Sequence, residues 1–155
     1  MARDARVGVE KVYYTIRVDI PLAGDLDTRK NLDRTKKHAA IIVGNQYGAV
    51  KGQAAGLYAQ ELAKRGFVAL AFDMSFHGES GGTPRHSVEP GIFLEDFSAS
   101  VDDLGTRPVR YRNKRGVLGI GDSGGCATSA PSRDPRPPRP PPARHHHLSP
   151  ALPHA

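Results

Sequence analysis

The sequence predicts an α/β fold in which a mostly parallel sheet carries helices on both faces. Three short runs of continuous apolar residues lie at 39–43, 67–72 and 117–120. Such runs are typical of strands that are buried on both faces. Helical periodicity fills the stretches between them. Because strand and helix signals alternate along the chain, right-handed crossovers between parallel strands are the favoured connection.

The first strand is of a different kind. Residues 11–20, KVYYTIRVDI, place Val12, Tyr14, Ile16 and Val18 at every second position. This alternation predicts a strand with one face in the core and one in solvent. We expect it to pair antiparallel with a short strand at residues 22–26 and to lie at one edge of the sheet.

Two amphipathic helices are predicted between the buried strands. The first covers residues 53–64 and precedes Gly66, which suits a left-handed C-terminal cap. The second covers residues 91–104, has Glu95 and Asp96 near its positive N-terminal end, and ends at Gly105. Their apolar stripes comprise Ala55, Tyr58, Ala59, Leu62 and Ala63 in the first helix, and Leu94, Phe97, Val101 and Leu104 in the second.

Composition narrows the class of protein. The chain has 155 residues, one cysteine and no apolar run near 18 residues. We therefore expect no disulfide framework and no membrane partner, and the N-terminal residues lack the pattern of a secretory signal. These features predict a cytoplasmic protein. The net charge of +6 alone would suggest a nucleic-acid partner.

Half of the net charge, +3, comes from the last 25 residues, which leaves only +3 on the other 130 residues and argues against a nucleic-acid partner for them. After Ala130 come 9 of the 13 prolines and 4 of the 7 histidines but none of the 17 glycines. We predict a partial folded domain at 1–130 and a disordered tail at 131–155, which a frameshift would explain. Alternatively, the chain is a non-catalytic fragment whose basic, proline-rich tail mediates interactions.

The glycine-rich segment after the last apolar run predicts a catalytic site. Residues 119–125 read GIGDSGG and contain G-x-S-x-G directly after a predicted strand. This is the nucleophile-elbow pattern, so Ser123 is the predicted nucleophile. A second match surrounds Ser80. It begins well beyond the end of its strand and precedes Thr83-Pro84, so we interpret Ser80 as a loop-shaping residue.

Such a nucleophile needs two backbone N–H donors for the developing oxyanion. Gly124 and Gln46, the latter in the loop after the run at 39–43, are the predicted donors. The same segment also reads G-x-G-x-x-G at Gly119, Gly121 and Gly124, which leaves a dinucleotide-binding domain as an alternative. That alternative requires an acidic residue about 20 positions further on, whereas Asp134 follows Gly124 by ten.

These motifs carry a resemblance to a known family. GNQYGAVKGQ at 44–53, the segment 57–85 with its DMSFHGESGG, the helix at 95–105 and VLGIGDSGG at 117–125 resemble the α/β-hydrolase superfamily. Within it they are most similar to dienelactone-hydrolase-like and esterase-like bacterial enzymes. The resemblance implies a serine hydrolase that cleaves a small ester-like substrate through an acyl-enzyme at Ser123, with no metal or organic cofactor. It also implies that His77 is a loop residue and not the catalytic base.

The resemblance covers only the N-terminal portion of that family's fold. No triad acid or histidine is identifiable after Ser123, because Asp134 and histidines 145, 146, 147 and 154 lie among prolines. We therefore expect a truncated chain that is inactive alone. A strand at 117–120 with a bare edge would favour self-association or aggregation.

Overall fold

The computed structural model describes residues 3–33, 35–36, 38–107 and 115–127, with the side chain of Arg115 excepted. These residues form five strands and two helices. In chain order they are β1 (Val7–Thr15), β2 (Pro21–Arg29), β3 (Ala40–Gly44), α1 (Ala54–Lys64), β4 (Val68–Phe72), α2 (Pro90–Thr106) and β5 (Arg115–Gly119).

The strands form one sheet in the order β1-β2-β4-β3-β5. β1 and β2 pair antiparallel, with Val7 opposite Arg29, and β2 pairs antiparallel with β4. β3 runs parallel to both β4 and β5. The predicted α/β class, the antiparallel edge strand and the three buried strands are thus confirmed. The carboxyl ends of β3, β4 and β5 meet at one edge, where open α/β sheets carry their sites.

Alternating residues of β4 divide the core between the two faces of the sheet. Ala69 and Ala71 pack in the cluster that contains residues of α1, while Leu70 and Phe72 pack in the cluster that contains residues of α2. Phe72 meets Phe97 of α2 edge to face, with ring centroids 5.2 Å apart. All five residues of β4 are buried. A helix therefore covers each face, as the sequence predicts.

β1 is displaced from its predicted range because a tight turn ends it. It stops at Thr15, and the Ile16 N–H donates to the Ile20 carbonyl across a turn in which Asp19 has a φ of 59°. Ile16 keeps its predicted place in the core at 4% exposure. Val18, predicted to face inward, lies in the turn and is 60% exposed.

α1 matches its prediction, and Gly66 follows it with a φ of 92°. α2 is longer than predicted: it begins at Pro90 and runs through Gly105 to Thr106. Its first turn therefore holds no acidic residue, and Glu95 and Asp96 lie in the second turn. Asp96 is fully buried and serves the loop after β4 rather than the helix terminus.

Neither helix of the described part of the chain is both long and apolar enough to cross a lipid bilayer. The predicted tail at 131–155 lies outside the described residues, together with Asp134 and the four C-terminal histidines. The two-part division of the chain thus stays a prediction.

Candidate functional site

The chain turns sharply after β5, and Gly121 is the residue at the apex of that turn. Ile120 still belongs to the sheet, since its N–H donates to the Gly44 carbonyl at 3.0 Å. Gly121 has a φ of 60°, in the left-handed region, and helical geometry begins at Ser123. We call residues 119–123 the elbow segment. Its strand, turn and helix order is that of a nucleophile elbow.

Close packing in the elbow segment explains why residue 119 is a glycine. A Cβ on Gly119 would overlap the backbone of Ser123 and lie 2.7 Å from the Gly124 Cα. The start of the helix therefore rests directly on the end of the strand, which only glycine permits.

Ser123 is fully buried and its hydroxyl faces the sheet. The Oγ donates to the Gly44 carbonyl at 3.1 Å or the Ile120 carbonyl at 3.0 Å, and it accepts the Ile120 N–H at 2.9 Å. A nucleophilic hydroxyl has to stand at the apex of the elbow and be accessible to substrate. The structure does not give the predicted nucleophile this geometry, because Ser123 follows the apex by two residues.

The two predicted oxyanion donors differ in their surroundings. The Gly124 N–H donates to the Gly121 carbonyl at 3.0 Å and is therefore already engaged in the turn. Gln46 is exposed in the β3 loop, as we call residues 44–48, and its N–H has no acceptor among the described residues. The same holds for the N–H of the exposed Asp122, the residue after the apex.

The apex faces the β3 loop. A Cβ built on Gly121 would lie 3.2 Å from the Gln46 Cβ and within 4 Å of no other atom of the described residues outside its chain neighbours. The elbow segment and the β3 loop thus form the two sides of one opening at the carboxyl end of the sheet. Their free N–H groups can bind a carbonyl oxygen or a carboxylate.

The loop after β4 is held by a buried ion pair. Lys51 Nζ lies 2.8 Å from Asp73 Oδ2, and the side chains are 6% and 1% exposed. Asp73 Oδ1 also accepts the Lys51 N–H at 2.6 Å, while Oδ2 accepts the Glu79 N–H at 2.9 Å. Asp73 therefore joins the segment before α1 to the loop after β4.

Ser80 and His77 have structural roles in this loop. The buried Ser80 hydroxyl donates to the Asp73 carbonyl at 2.6 Å and accepts the Ala23 N–H at 2.9 Å. Ser80 therefore shapes the loop, as predicted. His77 is 2% exposed, and its Nδ1 lies 2.9 Å from the Ser75 carbonyl. Both residues stabilise the loop by bonds to backbone atoms.

Asp96 of α2 fixes the same loop from the other side of the sheet. Its carboxylate accepts the Ser75 N–H at 2.8 Å and the Ser75 hydroxyl at 2.6 Å. Burial raises the pKa of Asp96 to about 6, although the hydrogen bonds from Ser75 lower it. Burial outweighs the hydrogen bonds, so the folded protein holds the Asp96 proton more tightly than the unfolded chain does.

Cys126 packs beneath the β3 loop. Its Sγ lies 3.3 Å from the Tyr47 Oη, and burial raises the pKa of the thiol. Tyr47 in turn contacts Phe93 of α2, with ring centroids 4.9 Å apart. A buried thiol with a raised pKa is a weak nucleophile, so Cys126 is a packing residue.

A second polar group lies beside β2. Arg3 binds Asp25 at 2.7 Å and Asp27 at 3.1 Å, and the buried Asp25 Oδ1 has no hydrogen-bond partner in the part of the chain that the structure describes. Asp25 also lines a cavity of about 260 Å³ with Lys11, Lys51, Asp73 and Glu79. Among the described residues, no group of three or more His, Cys, Asp or Glu side chains is arranged to hold a metal ion.

Sequence reasoning missed both the apex position and the Lys51–Asp73 pair. A signal for the apex was present, because the apolar run ends at Ile120 and the next residue is Gly121. The G-x-S-x-G pattern predicted Ser123 instead. For Lys51 no signal existed, since a lysine 22 residues from its partner has no local pattern.

Sequence comparison relates the chain to proteins about twice its length or longer. It is 48% identical to the uncharacterized protein PA2218 of Pseudomonas aeruginosa over 132 residues, or 85% of this chain and 35% of that protein. It is 41% identical to the uncharacterized protein YcjY of Escherichia coli, over 67% of this chain and 34% of that protein. The thiohydrolase aneE of Aspergillus aculeatus is 32% identical, over 63% of this chain and 30% of that protein. No family model matches the chain.

Solved structures show the same fold. The crystal structure of PA2218 matches with a TM-score of 0.83 at 46% identity, over 86% of this chain and 41% of that one. The α/β hydrolase GrgF from a Penicillium species matches with a TM-score of 0.73 at 19% identity, over 82% of this chain and 42% of that one. The Pyrococcus furiosus esterase Pf2001 matches with a TM-score of 0.68 at 23% identity, over 81% of this chain and 47% of that one.

The described part of the chain therefore has the α/β-hydrolase fold. The chain spans about a third of the length of the curated relatives it matches. The more specific likeness to dienelactone hydrolases stays a prediction.

Proposed function

We propose that this chain provides the carbonyl-binding side of a hydrolase site for esters or thioesters. The observation that carries the proposal is the opening between Gly121 and Gln46, where two backbone N–H groups have no acceptor among the described residues. Preorganised N–H donors stabilise the negative oxygen that forms when a carbonyl is attacked.

The comparisons support this class of substrate. The relative aneE and a second relative from Arthrinium phaeospermum, 35% identical over 46% of this chain, are thiohydrolases. Several proteins with the same fold are esterases. Esters and thioesters share the electrophilic carbonyl that such a site would bind.

The predicted acyl-enzyme mechanism assigns the attack to Ser123. In it the hydroxyl oxygen bonds to the carbonyl carbon, the leaving group departs, and water then releases the acid. This mechanism requires the Ser123 hydroxyl to give up its bonds to Gly44 and Ile120. The carbonyl-binding role of the β3 loop and elbow segment does not depend on which group attacks.

The test is a titration of the whole ¹⁵N-labelled chain with butyrate, the acid product of a short ester. We expect saturable shifts of the Gln46 and Asp122 amide signals, because both residues border the opening and neither N–H has an acceptor among the described residues. The Gly124 amide, which is engaged with Gly121, serves as an internal control. If butyrate leaves the Gln46 and Asp122 signals unchanged, the proposal is wrong.

The alternative functions gain no support from the described residues. A dinucleotide site would require Asp134, and an interaction role would require the tail, both of which lie outside the described range. Self-association through the outer edge of β5 stays a prediction.

A further inference from the structure

Two residues of the elbow segment differ in where a side chain can go. Ser123 directs its hydroxyl into the fold and is fully buried. A side chain at position 121 would instead project beside Gln46 into open space. Of these two residues, only one at position 121 could therefore direct a side-chain atom at a carbonyl bound at this opening.

From this we infer that position 121 is the attack position of the site, and that glycine there leaves the chain able to bind a carbonyl but unable to form an acyl-enzyme. This inference rests on the proposed function. It assigns Ser123 a positioning role: its hydroxyl ties the start of the helix to the ends of β3 and β5.

The backbone conformation at position 121 determines how much stability a side chain there would cost. The φ of 60° is strained for any residue other than glycine, so a substitution lowers stability without blocking the turn. Among the described residues, only the Gln46 Cβ lies near a new Cβ, at 3.2 Å, so the β3 loop has to shift by a few tenths of an ångström.

The inference is tested by placing a thiol at the apex. In a Cys126→Ala background, Gly121→Cys is compared with Gly125→Cys, whose position is exposed and where a new Cβ would lie within 4 Å of no atom of the described residues. The probe is p-nitrophenyl acetate. The thiol loses its proton to buffer, its sulfur bonds to the acetyl carbon, and the carbon–oxygen bond to p-nitrophenolate breaks, which leaves a thioester on the protein.

We expect the Gly121→Cys thiol to be acetylated at least tenfold faster than the Gly125→Cys thiol, because only the former has the two N–H donors beside it. Butyrate should slow the first reaction and leave the second unchanged. Equal rates for the two thiols would overturn the inference.

A second measurement uses the wild-type chain and does not depend on the stability of a variant. Incubation with a fluorophosphonate followed by mass spectrometry should leave Ser123 unmodified. Modification of Ser123 that Ser123→Ala abolishes would overturn the inference while leaving the proposed carbonyl site intact. Conversely, unchanged Gln46 and Asp122 amides in the butyrate titration would remove the proposed function without bearing on whether Ser123 reacts.

Discussion

The Lys51 ammonium lies 2.8 Å from the Asp73 carboxylate, and neither side chain exceeds 6% exposure. Removing one partner of such a pair leaves the other charge buried without compensation, which costs far more than the pair contributes. The pair also connects two loops at the carboxyl end of the sheet, so its loss should reach the candidate site.

Lys51→Met should therefore lower the free energy of unfolding by about 3 to 5 kcal/mol. Urea denaturation of the whole chain measures this. Lys11→Met is the matched control, because Lys11 binds Glu79 at a position where both side chains are about half exposed. There the loss should stay below about 1 kcal/mol. Equal losses in the two variants would contradict the buried pair.

Ser123→Ala should destabilise the fold if the hydroxyl is structural. The variant removes the one hydroxyl proton that the Gly44 and Ile120 carbonyls share and the oxygen that accepts the Ile120 N–H, at an expected cost of about 1 to 3 kcal/mol. Ser87→Ala removes a hydroxyl that bonds to Pro84 at an exposed site and should change little. A Ser123→Ala variant as stable as the wild type would argue against a structural role.

Gly119→Ala should distort the elbow segment, since its Cβ would press on the backbone of Ser123 and Gly124. Overpacking of this kind costs about 1 to 3 kcal/mol. At Gly125, which is helical and open, alanine should be neutral or stabilising. Thermal unfolding of both variants gives the comparison, and a tolerated Gly119→Ala would contradict the observed close approach.

The sequence predicts the strands and helices well because their signals are local. Continuous apolar runs mark β3, β4 and β5, and a 3.6-residue period marks α1. The orientation of Ser123 is not local, since it depends on which residue adopts the left-handed φ. Likewise Asp96 reads as a residue of a helix start, although its carboxylate binds Ser75 on the neighbouring loop.

Stability should depend on pH through Asp96 and Asp27. Burial raises the pKa of each to about 6 in the folded protein, above the ordinary value of 3.8. Between these values the folded state holds the protons more tightly than the unfolded state does. The free energy of unfolding contributed by these groups is therefore greatest below about pH 4 and declines as the pH rises through 6.

Asp96→Asn should remove its share of this decline, on the order of 2 kcal/mol, because one pKa unit corresponds to about 1.4 kcal/mol. Urea denaturation at several pH values between 4 and 7.5 measures it. Asp102→Asn, an exposed change on the same helix, is the control. The wild-type slope should persist in that control, and an unchanged slope in Asp96→Asn would exclude Asp96 as its source.

The outer edge of β5 should promote self-association. Within the described part of the chain, β5 pairs only with β3, and its other edge offers unpaired backbone groups. We expect sedimentation velocity to show oligomers that increase with protein concentration. A monodisperse monomer that melts cooperatively would contradict this expectation.

The Gly44 carbonyl receives both the Ile120 N–H and the Ser123 hydroxyl, and the β3 loop begins at that same residue. A displacement of the β3 loop would therefore reach the helix start at Ser123 through this oxygen. Tyr47 of the same loop makes a second contact with that helix, because its Oη lies 3.3 Å from the Cys126 Sγ. Because the chain contains no tryptophan, tyrosine absorbance and emission give an optical signal by which ligand binding at the opening can be followed without a label.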